Sequence, residues 1–154
     1  MISRFRFTYE PDWRTAPMAY WVHVPSSTAE GEFEPAAPPK VPRLGYCFLR
    51  FEFGEHELVF SSPAQLQHLI DVLSKKPLPT SRQLSSARDA SVGPNGHWLS
   101  RLPAELKSAK GREVLVRHLK GLRKQLLLVR PSAKHPIPSQ WPTPSRFLHA
   151  TAAV

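Results

Sequence analysis

Apolar and polar positions alternate from the start of the chain. Phe5, Phe7 and Tyr9 fall on one side, and Arg4, Arg6 and Thr8 on the other. A period of two is the pattern of a strand with one buried face and one solvated face, here a basic one. Pro11 ends it. Met18, Tyr20, Val22 and Val24 alternate with Ala19, Trp21 and His23 between Pro17 and Pro25, which predicts a second strand. Leu44 to Phe53 puts Cys47, Leu49, Phe51 and Phe53 opposite Tyr46, Phe48, Arg50 and Glu52. Gly54-Glu55-His56 then turns this run into Glu57–Ser61, a β-hairpin.

At Ser62 the period changes. Ser62 suits a helix cap, Pro63 the first helical position, and Gln65 the far side of a capping box. Leu66, Leu69, Ile70 and Leu73 follow at i, i+3, i+4 and i+7, so one side of this helix packs on the sheet until Pro77 stops it. Further on, Leu115, Leu119, Leu122, Leu126 and Val129, flanked by Val116, form an apolar ladder on one side of a helix. Pro103 suits the start of that region, which covers 103–129 as one helix or as two broken near Gly111.

These elements predict an α+β fold: a small antiparallel sheet of about four strands, packed by one N-capped amphipathic helix and followed by basic C-terminal helices and a Pro-rich tail. Residues 25–43 hold five prolines with Glu30, Glu32 and Glu34 and show no period, so they read as a long surface connection. A second polar connection over 78–96 has room for a helical turn at Arg82 to Arg88 and a turn at Asn95-Gly96. Residues 1–130 form a single domain on this reading. The tail, 131–154, is too rich in proline for a regular helix. It is either disordered or an extended arm docking through Ile137, Trp141 and Phe147.

Charge adds the one pointer to function. Residues 1–100 carry ten Lys/Arg and ten Asp/Glu, whereas residues 101–134 carry ten Lys/Arg against Glu105 and Glu113, a balance of +8 out of the total +9. A localised excess creates a field that attracts a polyanion. On the predicted helix, Arg117, Lys120 and Lys124 fall opposite the leucine ladder, and Arg112 and Arg123 lie on its margin. Arg101, Lys107 and Lys110 extend the cationic set, and Trp98, beside His97, offers a ring for stacking on bases. These nine residues are the expected binding set. The expected partner is nucleic acid, DNA or RNA, or else an acidic protein surface. Glu30, Glu32 and Glu34 form an acidic patch able to screen the cations instead of staying solvated.

Nothing in the residue pattern points to catalysis. There is no His-x-x-x-His pair, no cysteine pair and no HExxH, so no metal site is expected. Gly93-Pro94-Asn95-Gly96 lacks the Lys-Ser/Thr of a phosphate loop, and no GxSxG elbow occurs. Cys47, on the apolar side of its strand, reads as a structural thiol. His68 and Asp71, three apart on a helix, read as a surface polar contact. No cofactor is expected, and the leading reading is a small non-catalytic accessory protein. The alternative is a protein-interaction module, an inhibitor or assembly factor, using the basic face and arms rich in proline and aromatic residues.

A lone cysteine allows no intramolecular disulfide and suits a reducing compartment. The first residues lack the apolar core of a signal peptide, and no apolar run approaches the roughly 20 residues of a membrane span. A cytoplasmic protein with no membrane partner is therefore expected.

Overall fold

The computed structural model describes residues 4–88, 96–128 and 141. Val129, Ile137, Phe147 and Asn95 of the expected turn lie outside them. In chain order the elements are β1 (Arg4–Glu10), a 3-10 turn (Trp13–Thr15), α1 (Ala19–Val22), β2 (Val24–Pro25), β3 (Phe33–Glu34), β4 (Tyr46–Phe53), β5 (His56–Phe60), α2 (Pro63–Ser74), α3 (Ser81–Arg88), a second 3-10 turn (Trp98–Arg101), α4 (Ala104–Lys107) and α5 (Ala109–Leu126). The fold is α+β. Its main sheet is antiparallel in the order β1-β4-β5, and β2 pairs with β3 in a separate two-stranded ribbon.

The register follows from the alternation. Phe7 sits opposite Leu49 and Leu49 opposite Phe60, while Phe5 and Leu58 flank Phe51. This row faces α2 and α5, and Leu66, Leu69, Ile70 and Leu73 meet Leu115, Leu119, Leu122 and Leu126 over it in one core. The opposite face carries an ion-pair lattice. Arg6 pairs with Glu52 at 3.0 Å and Glu57 at 2.6 Å, and Arg50 pairs with Glu10 at 3.1 Å and Glu57 at 3.0 Å.

The segment expected as a second strand, Met18 to Val24, is instead the short helix α1 leading into the ribbon. Six of its seven residues are apolar, so an alternation there has no polar face to define it. The period that prevails is three: Trp13, Ala16 and Ala19 are buried against Phe48 and cover part of the outer sheet face. Asp12 starts this helical course by accepting the Arg14 amide at 2.9 Å. The sheet consequently has three strands rather than about four. The 25–43 connection is not wholly irregular either, since Phe33–Glu34 forms half of the ribbon and Phe33 packs edge-on against Trp13.

α2 begins as the sequence indicates. Ser62 caps it by accepting the Gln65 amide, and Pro63 occupies the first turn. The Gln65 side chain reaches back one residue beyond the cap. It accepts the Ser61 amide at 2.9 Å and donates to the Ser61 hydroxyl at 2.7 Å. His23 fastens the ribbon to the same place, its Nδ1–H donating to the Pro35 carbonyl at 2.9 Å while Nε2 pairs with the Ser62 hydroxyl at 2.8 Å.

Over 103–128 the chain forms two helices, and the break falls at Ser108, three residues before Gly111. Ser108 accepts the Gly111 amide at 3.1 Å and donates to the Glu105 carbonyl at 2.8 Å. A Cβ on residue 111 would lie 1.9 Å from that carbonyl, so only glycine lets α5 leave so close to the end of α4. Trp141 is fully buried in the main core, its ring 5.8 Å from that of Phe7. It is the tail residue that the structure describes.

Candidate nucleic-acid interface

α5 is fixed by its leucines. Leu115, Leu119, Leu122 and Leu126 are all buried, while Arg117, Lys120 and Lys124 are exposed on the far side and Arg112 and Arg123 are half-buried at the margin. Both marginal arginines reach α2. Arg112 Nη1 donates to the carbonyls of Leu73 and Lys75, at 3.5 and 2.9 Å, and Arg123 donates to the side-chain oxygen of Gln67. The two helices therefore run antiparallel. At the end of α2, where carbonyls lack helical partners, Arg112 supplies the donor and a favourable charge.

This arrangement leaves an open groove of about 670 Å³ between the end of α2 and the first half of α5. Leu73, Ala109 and Val116 supply its apolar lining, and Lys76, Lys110, Arg112, Arg117 and Lys120 its cations, with Glu113 as the carboxylate. Lys110, Arg112, Arg117 and Lys120 were expected from the sequence. Lys76 was not. It follows the last turn of α2, and only the packing of α2 on α5 brings it beside residues more than thirty positions later.

The remaining expected residues are not gathered there. Lys124 is exposed one turn beyond Lys120 on the same side of α5, but does not line the groove. Arg101 lies exposed on the second 3-10 turn, Lys107 is half-buried on α4, and Arg123 lines a separate hollow beside Trp141. Trp98 is a correction. It is 5% exposed, and its Nε1–H donates to His68 Nε2 at 3.0 Å, so the ring belongs to the core and offers no surface for stacking.

The expected His68–Asp71 contact is replaced by that Trp98–His68 bond, and Asp71 accepts from Gln67 at 2.8 Å. Burial holds the His68 pKa below its ordinary value. Its neighbour His97 is pushed down to about 4, again by burial, and its Nδ1 accepts the Leu99 amide at 3.1 Å. Burial pushes the Cys47 thiol up to about 12, which leaves it a poor nucleophile. Among the described residues no group of three or more His, Cys, Asp or Glu converges to hold a metal ion. No helix among them is long and apolar enough to cross a membrane.

The groove's charge is largely uncompensated. Among the described residues, ion pairs involving 101–128 are Glu113 with Arg117 at 3.7 Å and His56 with Glu105. The first is an exposed i, i+4 pair, which is weak in water. None of Glu30, Glu32 and Glu34 pairs with a described residue of the basic segment; Glu34 accepts from Ser26 at 3.4 Å. Arg6 and Arg50 of the sheet are neutralised in their lattice, whereas Lys110, Arg117, Lys120 and Lys124 of α5 are exposed. Comparison with protein-family models, curated proteins and solved structures finds no match to this chain.

Proposed function

We propose that this protein is a non-catalytic, cytoplasmic binder of nucleic acid that receives the phosphate backbone along the α2–α5 groove. One observation carries the reading. Lys76, Lys110, Arg117 and Lys120 converge on a single groove whose one carboxylate is Glu113, in a molecule that pairs Arg6 and Arg50 of its sheet with acids. Lys124 extends the same face toward the end of α5. Arg112 contributes charge to the field, but its guanidinium is anchored on α2, so it shapes the groove more than it contacts a ligand. Binding of this kind draws its free energy from counterion release and needs charge density rather than a sequence motif.

Salt titration tests it. With Lys76, Lys110, Arg117, Lys120 and Lys124 as contacts, log K for a labelled oligonucleotide should fall against log salt with a slope of roughly −4. Fluorescence anisotropy reads this directly. A slope near zero, or no binding at low salt, contradicts the proposal. A second reading is favoured by the apolar lining of Leu73 and Val116, which suits an acidic peptide with apolar anchors. Displacement of the oligonucleotide by polyglutamate at matched charge concentration would assign the groove to acidic protein surfaces instead.

A further inference from the structure

Among the described residues the groove's lining carries no aromatic ring, and this bears on which form of nucleic acid it takes. Single strands are held chiefly by aromatic side chains on which successive bases stack, with cations tracking the backbone. Here the rings are placed elsewhere. Trp13, Trp98 and Trp141 are buried, and Trp21 packs on His97 with centroids 4.6 Å apart. Tyr20 is 49% exposed, but the Arg88 guanidinium lies 4.5 Å over its ring, and it does not line the groove. What remains for a ligand is a row of point charges beside short aliphatic side chains.

A row of point charges gains most from the polyanion with the highest axial charge density. Duplex carries one charge per roughly 1.7 Å of axis, about twice the density of one strand within it, and condenses counterions more strongly. The exposed cations of α5, from Lys110 to Lys124, run for about 21 Å at 1.5 Å per residue, about two-thirds of a duplex turn. Building on the reading of the groove as a phosphate site, we infer that its ligand is double-stranded, held by the phosphates without stacking on any base.

Four labelled probes of one sequence test this at a single salt concentration with the full chain: duplex DNA, duplex RNA and the corresponding single strands, chosen free of self-pairing. At least one duplex should bind about tenfold tighter than either single strand. Preference for the DNA or the RNA duplex, or equal binding of both, supports the inference and identifies the source of the phosphates. Single strands binding as tightly as both duplexes, or tighter, would overturn it while leaving the groove a polyanion site. Absence of binding to all four probes would overturn both this inference and the reading beneath it.

Discussion

Replacing Trp141 by alanine should lower stability by about 3–5 kcal/mol, the largest loss expected from any single truncation here. The ring is fully buried and meets Phe7 edge-on at 5.8 Å. It closes a hollow lined by Pro63, Ala64, Leu66, Gln67, Arg123 and Leu126, where the start of α2 faces the end of α5. Removing it takes away the transfer free energy of a large ring and leaves a cavity between elements already fixed by their leucines. Trp141→Phe should cost much less. Its Nε1–H makes no hydrogen bond among the described residues, so phenylalanine forfeits ring volume and no polar partner there. Urea melts of both variants check this. A loss below about 1 kcal/mol for Trp141→Ala would place the residue outside the core.

The second large effect is on binding. The triple variant Lys110→Glu, Arg117→Glu, Lys120→Glu should weaken oligonucleotide affinity by roughly 10²–10³-fold at moderate salt, because three phosphate contacts become three repulsions. Stability should change little. All three residues are exposed, and surface substitutions of this kind stay within about 0.5 kcal/mol each. Glutamate at 110 stands in the first turn of α5, where it favours the helix dipole, while glutamate at 117 replaces the weak pair with Glu113 by a like-charge one. Arg101→Glu, on a turn away from the groove, is the control and should weaken binding only slightly. A loss for Arg101→Glu of about one third of the triple variant's on a logarithmic scale, by anisotropy, would mean that net charge rather than the groove governs binding.

Much of the fold was legible because strong periods left one solution. Arg6 separates Phe5 from Phe7 and Arg50 separates Leu49 from Phe51, so a slip by one residue would bury arginine. The leucines of α2 and α5 recur at helical spacing, with a cap legible at Ser62, and each faces the core. Met18 to Val24 misled because it lacks a polar face. In such a run the small residues Ala16 and Ala19, which let a helix lie close on Phe48, outweigh strand propensity. Gly111 marked the helix break within three residues, but the carbonyl that makes glycine necessary there, that of Glu105, is a matter of tertiary placement.

The candidate site was legible in its charge and not in its shape. Clustering of cations after residue 100 is a property of the sequence, and the leucine ladder separates exposed Arg117, Lys120 and Lys124 from marginal Arg112 and Arg123. Where Arg112 and Arg123 anchor on α2 depends on how α2 and α5 pair, as does the arrival of Lys76 at the groove. Trp98 misled for a related reason. A tryptophan just after an Asn-Gly turn signal looks available, and only the approach of His68 from α2 shows its indole to be satisfied within the core.

The groove itself is tested most directly by following backbone amide shifts of isotope-labelled protein during titration with a duplex oligonucleotide. Shifts should concentrate on Ser74, Lys75 and Lys76 and along α5 from Ala109 to Lys124. Trp98 and the Arg6–Arg50 ion-pair lattice should stay still. Shifts centred on that sheet lattice or on α1, with the α2–α5 groove unmoved, would contradict the account.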